Sequence, residues 1–94
     1  MAQNYDKRIE KCKVILDHYG FAAQQEKLVE ECVELIKAAQ GEDYENFIEE
    51  LADVSIMLVQ MIMSLNEARQ EQYTAMVDFK LSRTLQRIES ESDT

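Results

Sequence analysis

The chain contains no proline and only two glycines, Gly20 and Gly41, in 94 residues. Proline breaks a helix, and glycine inside one costs about 1 kcal/mol relative to alanine. A chain almost free of both is constrained to long uninterrupted helices, punctuated where the glycines fall. The apolar spacing agrees. Tyr5, Ile9, Cys12 and Leu16 recur on one face of a first helix over 4–18. Gly20 ends it, with His18 in the last turn. A second helix is expected over 22–40, with Leu28, Cys32, Leu35, Ile36 and Ala39 as its stripe and Gly41 as its stop. "GEDYEN" is a turn, from which Glu42 or Asp43 begins a third helix reaching Leu65. A fourth covers 67–88, with Tyr73, Val77, Leu81, Leu85 and Ile88 on its inner face. No strand alternation, low-complexity linker or long repeat intervenes. The expected fold is all-α, with four helices per chain in one domain over 1–89 and a frayed polar tail over 90–94.

The third helix is apolar on nearly every side. Phe47, Leu51, Val54, Leu58 and Leu65 face one way, Ile48, Ala52, Val59, Ile62 and Met63 another, and Ile56 and Met57 extend the coverage. Such a helix has to be buried on most sides. Four short helices cannot surround it, so the sequence predicts an oligomeric helical bundle with helices two and three at its core. A homodimer or a dimer of dimers satisfies that requirement.

Charge narrows the partners. The net charge is -9, and residues 26–53 hold ten acids against two lysines. A nucleic-acid backbone would be repelled by that middle segment, so no nucleic acid is expected as a partner. The most apolar run, "VSIMLVQMIMSL", is 12 residues long and includes Gln60, too short to span a membrane. No secretory signal pattern opens the chain. The two cysteines lie in apolar stripes, not in a C-x-x-C, and are expected to be reduced core residues of a cytoplasmic protein.

The acids repeat a pattern. "KLVEECVELIKAA" contains Glu30-Glu31-x-x-Glu34, and "NFIEELADVSIMLVQM" contains Glu49-Glu50-x-x-Asp53. Glu30 and Glu49 fit solvated helix positions. The other four do not. Glu50 points within about 20° of Met57 and Met61, inside an apolar arc, with Asp53 about 60° round from it. Gln60 follows two turns beyond Asp53 on the same side. Glu31 borders the apolar stripe beside Leu28 and Leu35, and Glu34 lies one turn further on. An i, i+3 pair puts two carboxylates on one side of a helix. A short turn makes helices two and three antiparallel neighbours, so the two pairs can face each other. Four converging carboxylates repel and raise each other's pKa values unless cations intervene. Mg²⁺, with Mn²⁺ as a substitute, suits such hard oxygen ligands. Carboxylate bundles that hold two irons use Glu-x-x-His twice, and the only histidine here, His18, belongs to neither motif.

Glu31-x-x-Glu34 followed by Glu50-x-x-Asp53 resembles the E-x-x-E and E-x-x-D signature of the all-α nucleoside triphosphate pyrophosphohydrolases. That superfamily includes the MazG proteins, the dimeric dUTPases and dCTPases, and phosphoribosyl-ATP pyrophosphohydrolase. "KLVEECVELIKA" and "EELADVSIMLV" are similar to the MazG pattern, most closely from Gln24 to Met63 and more loosely to Lys80-x-x-Arg83. The chain departs from it at Ala52, where many MazG domains have glycine, and at Gln60, where many have asparagine. The resemblance implies an enzyme that cleaves a nucleoside triphosphate between its α- and β-phosphates, releasing a monophosphate and pyrophosphate. Glu31, Glu34, Glu50 and Asp53 would bind Mg²⁺, and the general base would be Glu34 or Glu50. Lys80, Arg83 and Arg87 share one face of helix four and are candidate phosphate ligands, joined by Lys27 and Gln60. Two other classes fit the same residues: a non-enzymatic oligomeric helical interaction protein, and an enzyme acting on phosphoribosyl-ATP.

Overall fold

The computed structural model describes residues 2–92, with side chains from Lys7 onward, so the expected place of Tyr5 on the first apolar face lies outside the described side chains. Four α-helices follow in order: α1 (Ala2–Tyr19), α2 (Phe21–Gln40), α3 (Tyr44–Met63) and α4 (Glu67–Ser92). The all-α expectation holds, and α2 against α3 is the most extensive packing between elements. Among the described residues no helix is long and apolar enough to cross a membrane.

The helix ends follow local chemistry. Gly20 has φ +90, a left-handed conformation open to glycine at no steric cost, and it joins α1 to α2 in a single residue. The Asp43 side chain accepts a hydrogen bond from the Asn46 N–H at 3.1 Å and caps α3. Asn66 does the same for α4, accepting from the Arg69 N–H at 2.9 Å. The turn between α2 and α3 is only Gly41, Glu42 and Asp43, so the two helices form a tight antiparallel hairpin.

Residues 1–64 form one compact unit of three helices. On α2 the inner line is Gln24, Leu28, Glu31, Leu35 and Ala38, all buried or half-buried. The expected stripe is thereby shifted: Ile36 and Ala39 are exposed, and Ala38 takes the deep position near the turn. The inner line of α3 is Phe47, Glu50, Val54, Met57 and Met61, with Gln60 beside it. Both lines alternate steps of three and four residues, the spacing of coiled-coil seams. Cys12 on α1 packs into this core, and α1 touches both helices of the hairpin. Glu31 and Glu50 thus occupy seam positions where apolar residues are the rule.

Residues 65–94 form the second unit, carried by α4. Taken by itself, α4 buries none of its side chains. It continues to Ser92, so 90–92 are helical.

Candidate metal centre

One hydrogen bond marks the register of the hairpin. Gln24 Nε2 donates to Gln60 Oε1 at 2.8 Å across the seam. Seven residues further along α2 lies Glu31, and seven residues back along α3 lies Asp53. Three more in each direction lead to Glu34 and Glu50. Seven residues are two helical turns, so the acids return to the same side of each helix as the glutamines. Glu31 on α2 accordingly faces Glu50 and Asp53 on α3 across the hairpin.

Carboxylate oxygens of Glu31, Glu50 and Asp53 lie within 4.8 Å of one another. Glu31 and Glu50 are half-buried and Asp53 is exposed, so the cluster opens to solvent on one side. One oxygen of Glu50, Oε2, is buried and has no hydrogen-bond partner. Partial burial, then the negative charges of Asp53, Glu31 and Glu34, push the Glu50 carboxyl above the ordinary carboxylate range. The repulsion within the cluster is relieved either by a proton on one carboxyl or by a cation. The three-carboxylate group fits a hard divalent cation, because every donor it offers is a carboxylate oxygen.

The remaining expected site residues divide into four groups. Glu34 is outside the tight group. Its side chain is about half exposed and is drawn outward by Lys37, at 3.7 Å from Nζ to Oε1. Lys27 is adjacent to the cluster, with its ammonium 3.4 Å from Glu31 and 3.6 Å from Glu30. The hydrogen bond to Glu31 is the main cause of its raised pKa. Lys80, Arg83 and Arg87 belong to the α4 unit, on one face at i, i+3 and i+7, and the Arg83 guanidinium lies 5.8 Å from the centre of the Phe79 ring.

Gln60 is the most buried of the expected residues, at 0% exposure. Both ends of its amide are engaged: Oε1 accepts from Gln24, and Nε2 donates to the Ile56 carbonyl at 3.4 Å. Gln24 belongs to neither acidic motif. Its only signal in the sequence is position, two turns before Glu31, as Gln60 stands two turns after Asp53.

Fold and site together define an all-helical protein with a carboxylate cluster set into an antiparallel hairpin. The family model of the MazG nucleotide pyrophosphohydrolase domain matches residues 20–89, which takes in α2, α3 and nearly all of α4. The chain belongs to the MazG nucleotide pyrophosphohydrolase family. No curated protein and no solved structure matches it.

Proposed function

We propose that the chain is a Mg²⁺-dependent hydrolase that cleaves a nucleoside triphosphate between its α- and β-phosphates. The observation that carries this reading is the convergence of Glu31, Glu50 and Asp53 within 4.8 Å, with a second feature in the buried Glu50 Oε2 that has no hydrogen-bond partner, in a chain of this family. These three carboxylates are assigned to the metal, and Glu34, one turn from Glu31, completes the set. A divalent cation bound there would supply charge neutralisation for the triphosphate and Lewis acidity at the reacting phosphorus.

The chain's own groups then have distinct roles. Water attacks the α-phosphorus, the bond to the bridging oxygen breaks, and pyrophosphate leaves. Either Glu34 or Glu50 takes the proton of the attacking water. Both lie beside the assigned metal ligands, Glu34 one turn from Glu31 and Glu50 within the cluster itself. Lys27 lies beside Glu31 and has the length and charge to reach a phosphate oxygen. Lys80, Arg83 and Arg87 are assigned to the outer phosphates on charge and spacing. Gln60 serves from inside the core, as developed below.

Self-association belongs to the same reading. Val29, Val33 and Ile36 on α2, and Ile48, Leu51 and Leu58 on α3, are all exposed in the single chain. A second copy is the simplest cover for them, which makes the protein a homodimer or a dimer of dimers. A cytoplasmic setting suits two free cysteines, one of them buried. The direct test is pyrophosphate release from canonical and modified nucleoside triphosphates, and from phosphoribosyl-ATP, with and without Mg²⁺. Turnover of at least one of them in wild type, absent in Glu50→Gln, supports the reading. No metal-dependent turnover of any of them contradicts it.

A further inference from the structure

Buried amides need a reason. Gln24 and Gln60 are the two buried polar residues among the described side chains, and Gln60 is fully enclosed. Burying an amide costs free energy that its hydrogen bond only offsets, so an apolar pair of the same shape would hold the hairpin about as well. What an apolar pair cannot do is specify position. Seams of Leu, Val and Met tolerate small slips of one helix along the other, whereas a buried polar pair fixes register.

The tolerance of the carboxylate cluster is narrow. Metal–ligand distances have to hold within about 0.2 Å. A hydrogen bond 2.8 Å long is largely lost by about 3.5 Å, so its geometry restricts sliding to well under an ångström. Helices transmit that restriction. The glutamine pair and the Glu31–Asp53 pair are separated by two turns on each helix, about 10 Å, with no glycine or proline between them. Gln60 is itself held by the Ile56 carbonyl one turn back, and Gln24 Nε2 also lies 3.8 Å from Met57 Sδ.

We infer that the Gln24–Gln60 amide bridge is a positioning device that sets the register of α2 on α3 and thereby holds Glu31 and Asp53 at a spacing fit for one cation. The inference rests on the metal-dependent reading above. Neither glutamine touches the reacting atoms. Their contribution is to ligand geometry, so it appears in metal affinity and not in helix content.

The test uses the full chain, Mn²⁺ as probe and electron paramagnetic resonance to count free ion. Gln24→Met/Gln60→Met replaces both amides by apolar side chains of similar shape. The expected result is a folded protein with wild-type helicity and melting temperature, and Mn²⁺ affinity about ten- to a hundredfold weaker, the scale seen when groups behind metal ligands are removed. Wild-type affinity in the folded double variant overturns the inference. Should that variant not fold, Gln60→Asn keeps an amide one methylene too short to bridge, and its affinity is read in the same way. If wild type itself binds no Mn²⁺, the metal reading fails and crystal structures of the metal-free proteins decide the positioning. Dispersal of the three carboxylates beyond 4.8 Å in the variant supports it, and an unchanged cluster overturns it.

Discussion

Replacing Gln60 by methionine alone should harm the protein more than replacing Gln60 and Gln24 together. In the single variant the Gln24 amide stays buried and loses its 2.8 Å acceptor, keeping only the weak contact to Met57 Sδ at 3.8 Å. Leaving a buried donor unsatisfied costs about 1–3 kcal/mol. For a chain of this size each kcal/mol lowers Tm by about 4–8 °C, so the expected fall is roughly 4–24 °C. Gln24→Met should cost a similar amount, because it strands Gln60 Oε1. The double variant removes both polar groups and should return to within about 1 kcal/mol of wild type. Differential scanning calorimetry on the four proteins, at one shared concentration because self-association also shifts Tm, measures the cycle. Additive losses, with the double variant the least stable, would refute the reasoning, since they would show two independent side chains and no shared bridge.

Other outcomes follow from the cluster and the assembly. The Glu50 carboxyl titrates above its ordinary range in the folded state, so the fold holds that proton more tightly than the unfolded chain does. The contribution of Glu50 to metal-free stability should therefore be fully present below the ordinary carboxylate range and be lost as pH rises through the raised value. Glu50→Gln should flatten that slope and raise Tm at neutral pH without metal, which thermal melts in chelator would record. Arg83→Ala should lower kcat/KM for a triphosphate by about ten- to a hundredfold and exceed the effect of Lys80→Ala, as Arg can grip phosphate with two parallel hydrogen bonds. Near-wild-type kinetics in the double alanine variant would return those residues to a solvated face. Sedimentation equilibrium at micromolar concentration should give a multiple of 11.0 kDa, and a stable folded monomer would remove the assembly.

Much of this was legible in the residues. The two glycines and Asp43 mark the helix boundaries of the hairpin because backbone conformation and capping are local. Glu31 was legible as facing Glu50 and Asp53 because a three-residue turn makes α2 and α3 antiparallel neighbours and both acidic motifs lie on the helices it joins. Side-chain rotation was less so. Periodicity placed Ile36 and Ala39 in the α2 stripe, but the helix turns so that Gln24, Glu31 and Ala38 face α3, a choice made by cross-helix contacts that no single helix records. Glu34 was expected with the other three acids, and its side chain instead swings toward Lys37. The Gln24–Gln60 bridge was hidden because a glutamine reads alike on a surface and in a core. Only the partner across the seam distinguishes the two.

Isothermal titration of Mg²⁺ into the wild-type protein and into Glu50→Gln, followed by pyrophosphate release on the same samples, tests the central claim most directly. Saturable Mg²⁺ binding and Mg²⁺-dependent pyrophosphate release in wild type, both abolished in Glu50→Gln, are predicted by the cluster of Glu31, Glu50 and Asp53. Equal Mg²⁺ binding and equal turnover in the two proteins would contradict it.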